Sequence, residues 1–131
     1  MDRVTGIGGI FFKAKDQQAL LAWYRQHLGI DVQAWGGVMF RWHSPEKPNL
    51  HGGTTWSIFP ASSTYFAPST APFMVNYRVE NLHELLALLR AEGCDVDSKT
   101  EESEYGKFGW VMDPEGNQVE LWEPPPSDSI A

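Results

Sequence analysis

Cysteine occurs once in this chain, as Cys94, which excludes both an internal disulfide and a cysteine metal cluster. It follows Gly93, where a helix is expected to end, so its role is read as structural rather than catalytic. Long apolar runs are also missing. No stretch approaches the roughly 20 residues of a membrane span, and the opening MDRVTGIGGIFF has neither the length nor the cleavage pattern of a secretory signal. The expectation is a cytoplasmic protein with no membrane partner. Positive charge is scarce too: ten Lys and Arg against seventeen Asp and Glu give a formal net charge of -7. Such a field repels phosphate backbones, so nucleic acid is not expected as a partner.

What the chain does contain is enough apolar material for one core. Its 131 residues are 42% hydrophobic and 21% charged, a globular composition for a single domain. Six tryptophans and seven phenylalanines either fill that core or line a cavity for a flat ligand.

The sequence repeats itself. Residues 9 to 32, GIFFKAKDQQALLAWYRQHLGIDV, align with residues 74 to 96, MVNYRVENLHELLALLRAEGCDV, each reading strand, helix, strand start. Ile10, Phe12 and Ala14 alternate with Gly9, Phe11 and Lys13, and Val75, Tyr77 and Val79 alternate with Met74, Asn76 and Arg78. Asp16 and Asn81 suit helix N-caps, the latter with Glu84 three positions on as a capping box requires. Leu20, Leu21, Tyr24 and Leu28, and then Leu82, Leu85, Leu86 and Leu89, form one apolar stripe per helix. Gly29 and Gly93 stand where left-handed C-terminal caps belong. Further strands are expected at Asp31 to Ala34, Val38 to Trp42 and Thr54 to Phe59, and at Asp95 to Thr100, Gly109 to Met112 and Gln118 to Trp122. DPEGN between the last two has the chemistry of a tight turn.

Both halves therefore read β-α-β-β-β, an α+β arrangement. Module one spans about residues 5–60, a Pro- and Ser-rich linker about 61–72, module two about 73–124 and a tail 125–131. In the linker, Tyr65 and Phe66 either cover a cavity as a flap or pack as ordinary loop aromatics.

The tandem modules, the helix LLAWYRQHLGI and the closing DPEGNQVELWEP together resemble the vicinal oxygen chelate superfamily, which includes glyoxalase I, bleomycin-resistance proteins and extradiol dioxygenases. The resemblance covers about residues 5 to 124. It implies that the mixed sheets curve round a cavity with the helices outside, and that an acid at the Glu120 position is commonly a metal ligand. Small members of the superfamily dimerise, which makes a homodimer the expected assembly.

Glu120 is the sharpest lead. If Val119 and Leu121 face the helices, Gln118, Glu120 and Trp122 face the opposite, concave side. A carboxylate there needs a cation, a hydrogen-bond donor, a metal, water or a proton of its own. The other metal positions implied by the resemblance fall on Gly9, Met74 and Trp56 or Ser57, which supply no comparable donor, whereas a catalytic metal wants about three. His43 and His51 flank a proline-bearing loop and read as solvated, and His27 and His83 lie at helix ends. No cofactor is thus expected, with Glu120 the one ligand if a divalent metal (Zn, Ni, Mn or Fe) binds.

The remaining concave residues describe a small-molecule pocket. Phe11, Trp56, Met74 and Trp110 form its wall, with Asn76, Gln118, Glu120 and Trp122 as polar or amphipathic handles. Phe40 and Trp42, or their alternates Met39 and Arg41, extend it. The segment EESEYGKFGW is either a charged, solvated hairpin edge or a cap on the pocket, with Tyr105 as a donor and Lys107 pairing an anion. The expected protein binds a small aromatic or amine-bearing molecule around Glu120, which acts as polar anchor or general base. The competing expectation is a metal-dependent lyase, isomerase or dioxygenase that uses Glu120 as a ligand.

Overall fold

The computed structural model describes residues 3–126. Seven strands and two helices follow in the order β1 (Gly6–Ala14), α1 (Gln17–Leu28), β2 (Gly37–Arg41), β3 (Gly53–Pro60), β4 (Phe73–Arg78), α2 (Leu82–Ala91), β5 (Asp95–Ser103), β6 (Gly106–Met112) and β7 (Gln118–Glu123). All seven strands form one mixed sheet, ordered β2-β3-β1-β4-β7-β6-β5. The two modules meet at its centre, where β1 and β4 pair antiparallel, while β1–β3 and β4–β7 are parallel within each module.

Each helix is started and stopped by the residues that suit those places. Asp16 and Asn81 accept hydrogen bonds from the amides of Ala19 and Glu84, and the Asn81 amide also meets the Glu84 carboxylate at 3.1 Å. At the far end of α1, Gly29 takes the left-handed conformation, φ 66°, which frees its amide to reach the Tyr24 carbonyl. On α2, Leu82, Leu85 and Leu86 pack with Val79 and Leu121. Beneath α1, Leu21 joins Ala14, Val32 and Ile58, with Phe12, Tyr24 and Trp56 around them. The expected apolar stripe on α1 stops short of its end: Leu28 in the last turn is 60% exposed and lies outside the cluster beneath the helix.

One expected strand is absent. Asp31–Ala34 curls on itself instead: the amide of Gln33 bonds to the Gly37 carbonyl and that of Gly36 to the Gln33 carbonyl. Gly36, at φ 97°, reverses the chain there, so module one has three strands where module two has four. The DPEGN turn forms as expected. The Asp113 carboxylate accepts from the amides of Glu115 and Asn117, and Gly116 has φ 82°.

The linker after β3 lies against the sheet. Phe66 is fully buried with Met74 and Trp110, and the Ser69 hydroxyl donates to the Gly116 carbonyl at 2.7 Å. The third core cluster is therefore built on the face opposite the helices. Among the described residues, no helix is long and apolar enough to cross a membrane.

Candidate binding site

Strand alternation divides β7 between the two faces of the sheet. Leu121 and Val119 pack under α2, which sends Glu120 to the concave side. Strand register then aligns it with a row crossing six strands. Met39 pairs with Thr55, Thr55 with Gly9, Gly9 with Asn76, Asn76 with Glu120, and Glu120 with Trp110. Neighbours across a ladder share a face, so this row is the floor of the concavity.

Glu120 is 1% exposed, and both of its oxygens are occupied. Oε1 accepts from the Asn76 Nδ2 amide at 2.6 Å. Oε2 accepts from the Tyr65 hydroxyl at 2.6 Å and from the Trp110 indole at 3.0 Å. Burial pushes the carboxyl above its ordinary range, and hydrogen bonds from Tyr65, Asn76 and Trp110 hold part of that rise back. The Tyr65 phenol is raised as well, chiefly by burial and then by the adjacent Glu120 charge.

The cavity over this floor has a volume of about 650 Å³, within the range of small-molecule sites. Phe11, Phe59 and Tyr65 wall one side, and Tyr105, Phe108 and Trp122 the other. Phe59 and Tyr65 are stacked with centroids 5.7 Å apart, and Phe108 and Trp122 with centroids 6.1 Å apart. The polar lining is sparse: Arg41, Thr55, Asn76, Glu104 and Glu120.

The first module shapes the floor by lacking side chains. A register shift between Ile7 and Gly9 inserts Gly8 as an extra residue, a bulge that turns the strand locally. A Cβ on Gly8 would lie 2.2 Å from Asn76 Oδ1 and 2.9 Å from the Trp122 ring, so only glycine lets Asn76 sit there.

The structure sorts the sequence-derived site residues into three groups. Phe11, Asn76, Tyr105, Glu120 and Trp122 line the cavity. Trp110 touches Glu120 directly but, with Gln118, lines a second cavity of about 240 Å³ on the other side of Tyr65. Four residues lie elsewhere. Trp56 packs under α1 against Tyr24 and Phe12, because its neighbours Thr55 and Ser57 hold the concave face. Met74 is fully buried in the core beneath the linker. On β2 the alternates Met39 and Arg41 point into the cavity, leaving Phe40 exposed. Trp42 lies beyond the strand, stacked on the Arg78 guanidinium. Lys107 pairs with Glu123 at 3.7 Å, and Cys94 is exposed at the end of α2.

Thr55, Phe59, Phe108 and Gly8 were missed by the sequence reading. Simple alternation along β3 would have exposed the first two, whereas Gly8 depends on a bulge that periodicity does not register. Tyr65 stands on the linker, and of its two readings the structure shows the flap: the ring closes over Glu120 while Phe66 plugs the core.

A divalent metal does not fit this donor set. The floor row offers a thioether, a hydroxyl, a glycine, an amide and an indole beside a single carboxylate, against a usual need for about three N, O or S ligands. Among the described residues, no group of three or more His, Cys, Asp or Glu side chains is placed to hold a metal ion.

A two-module curved sheet with helices outside and a cavity inside defines the class of protein. The family follows from comparison: the model of the glyoxalase-like domain matches residues 9–122. The chain belongs to that family. Among solved structures it is similar to methylmalonyl-CoA epimerase from Mycobacterium tuberculosis, with 17% identity, a TM-score of 0.66, and coverage of 100% of this chain and 95% of that one. A variant of Streptomyces coelicolor methylmalonyl-CoA epimerase in complex with 2-nitronate-propionyl-CoA gives 14% identity, a TM-score of 0.67, and coverage of 92% and 98%. A superfamily member from Vibrio splendidus 12B01 gives 13% identity, a TM-score of 0.56, and coverage of 89% and 97%. At these identities the likeness is one of fold. No curated protein matches the chain.

Proposed function

We propose that this protein binds a small aromatic or amine-bearing organic molecule in the cavity over Glu120 and does so without a metal. The observation that carries the reading is the hydrogen bonding of Glu120, whose two oxygens receive donors from Tyr65, Asn76 and Trp110 at 2.6 to 3.0 Å. A carboxylate so held is a fixed polar anchor. Its three donors fill three of the roughly four acceptor sites of a carboxylate and leave one, on Oε1. Facing aromatic walls and few polar groups suit recognition of a flat compound by stacking.

The metal-free part is tested by isothermal titration with Zn, Ni, Mn and Fe(II). No stoichiometric binding is expected, and tight binding that Glu120→Gln abolishes overturns it. The rival reading is a metal-dependent lyase, isomerase or dioxygenase. Turnover of the hemithioacetal of methylglyoxal and glutathione, lost on chelation, would establish the lyase form. A homodimer in the cytoplasm is part of the proposal, checked by sedimentation and by fractionation.

A further inference from the structure

Two polar groups of the cavity lining lack a hydrogen-bond partner among the described residues. Asn76 is 2% exposed. Its Nδ2 is committed to Glu120, but Oδ1 is buried and, among the described residues, has no hydrogen-bond partner. Leaving such an acceptor unpaired costs about 1–3 kcal/mol, and the site maintains it by placing glycine at position 8, directly against Oδ1. The second group is the Arg41 guanidinium. It lines the cavity from β2, and among the described residues it has no hydrogen bond or ion pair. The other charged group of the lining, Glu104, lies past the end of β5, on the opposite edge of the sheet from β2.

We infer that the cavity selects an aromatic acid that carries an amino or hydroxyl group remote from its carboxylate. The N–H or O–H meets Asn76 Oδ1 at the floor, the ring lies between the Phe11–Phe59 and Phe108–Trp122 walls, and the carboxylate meets Arg41 at the rim. Charge fixes the direction, since Glu104 repels the acid from the other rim. Length agrees: β2 and β4 are three strand steps apart, about 14 Å, and the arginine side chain covers part of that span. What remains fits a one-ring or two-ring compound. Arginine is suited to this place because its planar fork holds a carboxylate through two hydrogen bonds.

This inference rests on the small-molecule reading, and the experiment separates the two. Calorimetric titration at pH 8 compares 4-aminobenzoate and 6-amino-2-naphthoate with three analogues of each: the methyl ester, the N,N-dimethyl amine and the aminomethyl compound bearing a cation in place of the acid. In at least one series, the amino acid form is expected to bind tenfold or more tighter than the ester and the cation, and at least fivefold tighter than the dimethyl amine. Arg41→Gln should bring the acid down to the affinity of the ester. Equal affinities across a series, or an acid preference that survives Arg41→Gln, overturn the inference while leaving a binding cavity in place. Failure of every compound in both series, the cationic ones included, overturns the inference and the small-molecule reading together.

Discussion

The hydroxyl of Tyr65 donates to Oε2 of Glu120 across 2.6 Å, tying the linker between the modules to the last strand. The same ring separates the two cavities, since it lines both. Tyr65→Phe keeps the stacking on Phe59 and removes only the donor. Oε2 then retains the Trp110 indole alone. A stability loss of about 1 kcal/mol is expected, read as a lower denaturant midpoint with an unchanged slope. Protection of linker amides from hydrogen exchange should fall as well. An unchanged midpoint and protection would mean that the hydrogen bond contributes nothing to closing the flap.

The raised Glu120 carboxyl makes a prediction about pH. Its folded pKa lies above the unfolded value, ordinarily about 4.3, so between the two the folded state binds more protons than the unfolded state. Stability contributed by this group is therefore complete at low pH and is lost as pH rises through that window. Glu120→Gln removes the titration, and a Gln amide can still accept from Tyr65 and Trp110. Relative to the native protein, the variant should gain stability steadily as pH increases above about 4.3. Parallel unfolding curves for the two proteins from pH 4 to 8 would show that Glu120 titrates as an ordinary carboxyl.

How far the sequence leads here depends on the kind of contact. Periodicity of two and of 3.6 located both helices, their caps, all seven strands and the inward direction of Glu120, because those follow from local geometry. The strand expected at Asp31–Ala34 failed because its own turn, closed at Gly36, outcompeted pairing. On β2 the pattern leaves Phe40 and Trp42 open against Met39 and Arg41, and the structure gives the cavity the second pair, while Trp56, expected on the concave wall, packs under α1 because Thr55 and Ser57 hold that face. The partners of Glu120 come from the linker, β4 and β6. Such convergence is set by strand order, which no local pattern reveals.

Gly8 tests the floor of the cavity. An added methyl group would stand 2.2 Å from Asn76 Oδ1, 2.9 Å from the Trp122 ring and 3.0 Å from the Arg78 side chain. Overpacking of this kind costs about 1–3 kcal/mol. Gly8→Ala should therefore unfold at lower denaturant and lose affinity for any cavity ligand, since relief requires Asn76 or Trp122 to move. Gly29→Ala is the control: nothing lies within 4 Å of its added Cβ, and the cost comes only from φ 66°, so ligand affinity should not change. Equal loss of affinity in both variants would make the Gly8 effect one of global stability.

Arg78 holds the outer wall by its shape as much as by its charge. It is 8% exposed, lies 4.9 Å from the centroids of both the Trp42 and Trp122 rings, and donates to the Gly53 carbonyl at 3.2 Å. Trp122 in turn stacks on Phe108 with 10° between the planes, so four flat groups succeed one another from Trp42 to the cavity. Lysine would keep the charge but not the plate, nor the fork that reaches Gly53. Arg78→Lys should cost about 1–3 kcal/mol from two weakened cation–π contacts and the lost hydrogen bond. The near-ultraviolet circular dichroism of the tryptophans should change while the far-ultraviolet spectrum does not. If charge alone mattered, both the denaturant midpoint and the tryptophan bands would match the native protein, and Trp122 would owe its position to Phe108 and to its indole bond with the Tyr105 carbonyl.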